Sequence, residues 1–108
     1  MRNAAMALWV IYCHSIALPD GTVRRYVGQT NTTMHARWLA HLRSANAVSF
    51  GTRNPFHLAI SRYGAAVWKH EELEICFSKW DADRAEKKWI KHFRSMEREH
   101  GFNIQNGG

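Results

Sequence analysis

Residues Trp9 to Gln29 read Trp-Val-Ile-Tyr-Cys-His-Ser-Ile-Ala-Leu-Pro-Asp-Gly-Thr-Val-Arg-Arg-Tyr-Val-Gly-Gln. The first nine are mostly β-branched or aromatic, the composition of a strand. Leu18-Pro19-Asp20-Gly21 is a turn in which proline presets φ and glycine accepts a positive one. Thr22 to Gln29 then returns as a second strand, so the stretch is expected to be a β-hairpin. Strand alternation puts Val10, Tyr12 and His14 on one face, and Arg24, Tyr26 and Gly28 on one face of the partner. With Ile16 paired to Thr22 across a five-residue loop, Tyr12 stands opposite Tyr26 and two phenols share a site. Tyrosines at a sheet edge are also ordinary amphipathic filler, so the hairpin alone assigns them no chemistry.

Downstream, Asn31, Thr32 and Thr33 are candidate N-caps for a helix reaching about Ala45. Met34, Trp38, Leu42 and Ala45 form its apolar stripe, and Arg37 and His41, one turn apart, project together beside it. An arginine offers a fixed fork of donors to a phosphate, and a histidine can accept or carry a proton near neutral pH. Asn46 to Asn54 reads as a loop, Pro55 opens a short helix ending at Tyr63-Gly64, and Trp68 to Phe77 reads as a third strand. Its Glu71, Glu72 and Glu74 are read as solvated, with Glu72 and Glu74 on one face.

A last helix is expected from Asp81 through Met96, with Ala82, Glu86, Trp89, Ile90 and Phe93 on its apolar face. A carboxylate on that side needs a cation, hydrogen-bond donors or water, because burying it unpaired costs several kcal/mol. Two readings compete at this point: Asp83 as a cap with Glu86 closing a capping box, or Glu86 as a ligand.

The chain has 108 residues, enough for one domain over 1–108 and too few for two. Fifteen Lys and Arg against nine Asp and Glu give a net charge of +6, which favours a polyanionic partner over a membrane or an acidic peptide. Two cysteines without a paired motif exclude a disulfide framework and point to a reduced, cytoplasmic setting. A zinc site from Cys13, His14, His41 and Cys76 lacks any usual ligand spacing. Met1 to Val10 carries neither the cleavage site of a signal peptide nor the length of a membrane span, and reads as a strand entering the core.

Taken in order, Val10-Ile11-Tyr12, Tyr26-Val27-Gly28, Arg37 with His41, Glu86-x-x-Trp89-Ile90 and Gly101-Phe102-Asn103 resemble the GIY-YIG nuclease superfamily, across essentially the whole chain. The closing Gly-Phe-Asn and the helix motif are more similar to its phage, homing and restriction branch. Val10 stands where the family has its first glycine, and Pro19-Asp20-Gly21 lengthens the hairpin. No residue among Ser49, Thr52, Arg53 and Asn54 is assignable to the further polar group that homing members carry there.

The resemblance implies an α+β fold, a small three-stranded antiparallel sheet flanked by helices, and metal-dependent hydrolysis of DNA phosphodiesters. It implies Tyr12 as general base or water-orienting group with Tyr26 beside it, Arg37 on the scissile phosphate and His41 assisting proton transfer. Glu86 would hold one Mg²⁺, for which Mn²⁺ could substitute, and Asn103 would support the site near the phosphate or the sheet edge. Arg24, Arg25, Lys87, Lys88 and Lys91 are the expected phosphate-neutralising cations on DNA, where the chain could act as a homodimer. The alternative is a non-catalytic nucleic-acid-binding module using the same cations.

Overall fold

Strand β1 (Trp9–Ala17) is the centre of the sheet, and its composition explains why: Ile11, Tyr12, Cys13, His14 and Ile16 are all buried, so neither face is left to water. In the computed structural model, which describes residues 8–46 and 54–105, β1 pairs antiparallel with β2 (Val23–Thr30) and with β3 (Lys69–Cys76), in the order β2-β1-β3. Helix α1 (Met34–Asn46) and helix α2 (Pro55–Tyr63) lie over one face, α3 (Lys79–Phe93) over the other. This is the α+β architecture expected. The segment from Met1 and the residues Ser49, Thr52 and Arg53 fall wholly or largely outside the described residues.

The hairpin register departs from expectation by two residues along β2, which keeps the faces but changes the partners. Ala17 pairs with Val23, so Tyr12 faces Gly28 and Tyr26 faces His14. The cause is Thr22, expected in the strand but held in the turn: its backbone N–H and its hydroxyl both bond Oδ1 of Asp20, at 2.9 and 2.6 Å. Its carbonyl closes the loop on the Leu18 N–H at 2.8 Å. The two phenols are diagonal neighbours rather than a facing pair.

Two further expectations are corrected. Strand β3 carries a bulge, with Ile11 opposite Glu74 and Tyr12 opposite Glu72, so Leu73 is the extra residue and the two glutamates point to opposite faces. Glu74 is not simply solvated; it accepts from Lys88 Nζ at 2.7 Å and from Trp89 Nε1 at 2.9 Å. Helix α3 starts earlier than expected because Ser78 is its N-cap, accepting from the Asp81 N–H at 3.0 Å. Glu86 therefore lies two turns inside the helix and closes no capping box, and Asp83 bonds Lys79 and Gln29 instead.

Under α1 and α2 the core joins Ile16, Trp38, Phe56, Ile60, Trp68 and Phe102; under α3 it joins Ile11, Val27, Cys76, Ala82, Ala85 and Ile90. Trp89 and Phe93 are partly buried at its margin and fasten α3 to the sheet. Beyond α3 the chain runs along the outer edge of β2. Arg25 donates to the His100 carbonyl at 3.0 Å and accepts from Phe102 at 2.9 Å. Gly101 is required in this crossing, since a Cβ there would overlap both the Arg25 carbonyl and Ser95. Among the described residues no helix is long and apolar enough to cross a membrane.

Candidate active site

A cleft of about 330 Å³ opens beside the β2 edge, lined by Tyr12, Tyr26, Gly28, Gln29, Arg37, Asn54, Lys79 and Glu86, with Phe102 to Gln105 at its rim. It draws on both faces of the sheet: the tyrosines come from the α1 side and Glu86 from the α3 side. Gly28 makes this possible. A Cβ at Gly28 would overlap the Tyr12 ring, with Cε1 only 2.9 Å away, so the missing side chain is where the phenol lies.

Tyr12 is 1% exposed. Its hydroxyl is 3.0 Å from Nε2 of His41, and Nδ1 of His41 is 3.1 Å from Nε2 of His57. Burial, the neighbouring Tyr26 and, last, Glu86 push the phenol well above its ordinary value of 10.0, against the Arg37 guanidinium beside it. Burial, Arg37 and His57 hold His41 down to about 3. Both groups are thus neutral near pH 7, so either can donate in this contact; in the tautomer with the His41 proton on Nδ1, the phenol donates to Nε2 and His41 donates to Nε2 of His57. Tyr26 stacks on Phe56, with centroids 4.1 Å apart, and meets the His41 ring edge-on. Burial also raises its phenol, with Glu86 adding to the effect.

Arg37 is exposed on α1 and reaches the cleft from above. The i, i+4 spacing does bring Arg37 and His41 to the same place, but at different depths, because His41 is 2% exposed among aromatic rings. Behind it His14, fully buried, lies 2.9 Å through Nδ1 from Nδ1 of His70. Burial, then His70, His41 and Arg37 in turn, lower His14 to about 3.

Glu86 is 9% exposed. Gln29 orients it: one amide nitrogen donates to Oε1 of Glu86 and to Oδ1 of Asp83, both at 2.7 Å, while Lys79 bonds Gln29 Oε1 at 3.0 Å and Asp83 at 2.6 Å. A hard cation that prefers oxygen and keeps several waters fits a cleft with one held carboxylate, polar walls and room for a phosphate. Among the described residues the group of three close potential ligands is Glu97, Glu99 and His100, away from Glu86, and there Arg94 forks Glu97 at 2.7 and 2.8 Å. The zinc alternative does not assemble, because Cys13 and His14 are neighbours on β1 and point to opposite faces of the sheet.

Asn103 lies at the sheet edge with its amide engaged at both ends: Oδ1 accepts from the Val27 N–H at 2.9 Å and Ser95 Oγ at 2.7 Å, and Nδ2 donates to the Val27 carbonyl at 2.9 Å. Arg24, Arg25, Lys87, Lys88 and Lys91 do not line the cleft. Arg24 is 3.9 Å from Asp20, Arg25 covers the Phe93 ring, and Lys88 is bound to Glu74, while Lys87 and Lys91 are exposed. The cation the sequence reading missed is Lys79, which fell outside the expected helix; Gln29 and His57 were missed because only tertiary contacts give them partners.

Among solved structures, the catalytic domain of intron endonuclease I-TevI, in a mutant form, is similar over 93% of this chain and 97% of its own, with a TM-score of 0.69 at 19% identity. No curated protein matches the chain. The family model for the GIY-YIG catalytic domain matches residues 8–100. With that match spanning the sheet and all three helices, the chain belongs to the GIY-YIG family of nuclease catalytic domains.

Proposed function

We propose that the protein is a metal-dependent endonuclease that hydrolyses DNA phosphodiesters in the cleft between Tyr12 and Glu86. The observation that carries this reading is the convergence of Tyr12, Tyr26, Arg37 and Glu86 on one opening, with the Tyr12 hydroxyl joined to His41. A phosphodiester resists attack because its oxygens are already negative, so the site must add positive charge and remove a proton from water. Arg37 clamps the scissile phosphate with its fork of donors. A divalent cation, Mg²⁺ or Mn²⁺ in its place, would be held by Glu86 and would supply charge to the phosphate oxygens. Gln29 fixes the carboxylate for that purpose, and Tyr26 packs the wall beside Tyr12.

Tyr12 is too weak an acid to wait as phenolate. It acts instead by taking the proton of an attacking water as its own passes to His41, which faces it with a bare nitrogen. Asn103 keeps the β2 edge in register under the cleft. Arg24, Arg25, Lys87, Lys88 and Lys91, with Lys79 at the cleft, neutralise phosphates flanking the cut.

Incubating supercoiled plasmid with the protein and Mg²⁺ is expected to give nicked or linear product, lost with EDTA and in Glu86→Ala while DNA binding persists. Cleavage by Glu86→Ala at the wild-type rate rejects the metal assignment. Arg37→Ala is expected to lower the rate by about two orders of magnitude or more in a folded protein. Lys87→Ala or Lys91→Ala is expected to leave the chemistry alone and reduce the salt slope of binding by about 0.9.

A further inference from the structure

Depressed as it is by burial and by Arg37, His41 is a poor resting place for a proton. Its second nitrogen is already turned to another ring. His57 sits in the first turn of α2, where Asn54 Oδ1 accepts from the backbone N–H groups of Phe56 and His57 at 2.9 and 3.1 Å and Pro55 stiffens the start. That fixed turn sets Nε2 of His57 3.1 Å from Nδ1 of His41, while the ring itself is half-buried and reaches toward solvent. The helix N-terminus beside it disfavours a lasting imidazolium. Three groups thus run in line from the cleft outward: phenol, buried imidazole, half-buried imidazole.

We propose that His57 completes a proton relay, Tyr12 to His41 to His57, that carries the proton of the attacking water out of the cleft to solvent. The inference rests on the reading of Tyr12 as the group that meets that water. As the water oxygen bonds phosphorus, the bond from phosphorus to the leaving sugar oxygen breaks and that oxygen takes a proton from solvent, while the attacking water's O–H breaks and its proton goes to the Tyr12 oxygen. The Tyr12 proton moves to Nε2 of His41, the Nδ1 proton of His41 moves to Nε2 of His57, and His57 releases its Nδ1 proton to bulk water. No group in the chain gains net charge, and no phenolate or imidazolium has to persist. After product leaves, passage in the reverse direction, from solvent through His57 to water in the emptied cleft, restores the starting tautomers. His57 touches no reacting atom; it is a positioning residue for His41 with a proton to move.

Single-turnover cleavage of supercoiled plasmid with Mg²⁺ tests this, using His57→Ala, His57→Gln and Tyr12→Phe, with DNA binding and circular dichroism as checks of folding. The relay predicts that His57→Ala loses about tenfold to a hundredfold in rate and recovers it on addition of imidazole. Glutamine can hold the His41 ring by a hydrogen bond but cannot pass a proton, so His57→Gln is expected to stay slow. A wild-type rate in either His57 variant, or a His57→Ala loss that imidazole leaves in place, overturns the relay. Tyr12→Phe separates the two levels: if it cleaves at the wild-type rate, the reading of Tyr12 itself fails. If it is slow while His57→Gln is not, the relay alone fails.

Discussion

A single missing methyl group decides where the Tyr12 phenol lies. Gly28→Ala would drive a Cβ into that ring, which has little room to retreat because it is 1% exposed and tied to His41. The substitution is expected to cost about 1–3 kcal/mol by overpacking and to reduce cleavage out of proportion to the lost stability. Chemical denaturation beside single-turnover rates measures both. Tyr12→Phe makes the contrasting case, since it keeps the packing, removes the hydroxyl and is expected to lower the rate by about 10²-fold or more. Residues of this kind were partly legible in the sequence. Arg37 and His41 announce themselves by helical spacing, and Glu86 by sitting on an apolar face. Gln29 and His57 do not, because what makes them matter is a carboxylate 57 positions away for one and an imidazole 16 away for the other.

Among the elements, the α3 N-terminus and the β2 edge hold the cleft in shape. Ser78→Ala removes the cap of α3 and is expected to cost about 1 kcal/mol, seen as a lower thermal midpoint with little change in rate, since Glu86 lies two turns on. Asn103→Ala strips partners from the Val27 N–H and carbonyl and from Ser95 Oγ, all buried. About 2–3 kcal/mol is expected, together with faster amide exchange at Val27. Element type was readable throughout, from β-branched runs, Pro55, Gly64 and the apolar period of α3. Boundaries failed where a short polar side chain chose between two backbone partners. Asp20 drew Thr22 into the turn and moved the register by two residues, and Ser78 rather than Asp83 caps α3 through the Asp81 N–H. The bulge at Leu73 had no local signal, because its cause is pairing with β1.

For the whole molecule, the buried imidazoles set the response to acid. His14 and His41 have folded values near 3 against an ordinary 6.5. Below pH 6.5 the unfolded chain takes up protons at these positions that the folded chain refuses. Stability therefore falls as pH drops from 6.5 toward about 3, by up to about 1.4 kcal/mol per pH unit for each group. Urea midpoints measured from pH 7 to pH 4 check this, and His14→Phe is expected to flatten the slope. The order β2-β1-β3 has another consequence. The tail from His100 to Phe102 covers the outer side of β2, while among the described residues no strand pairs with the outer side of β3. Along it stand the exposed Glu71 and Glu72. Unpaired strand edges invite a neighbouring chain to add its own strand. Two copies pairing there with these glutamates opposed would bring carboxylates together, so side chains read from the sequence as merely solvated work against edge-to-edge aggregation at high concentration.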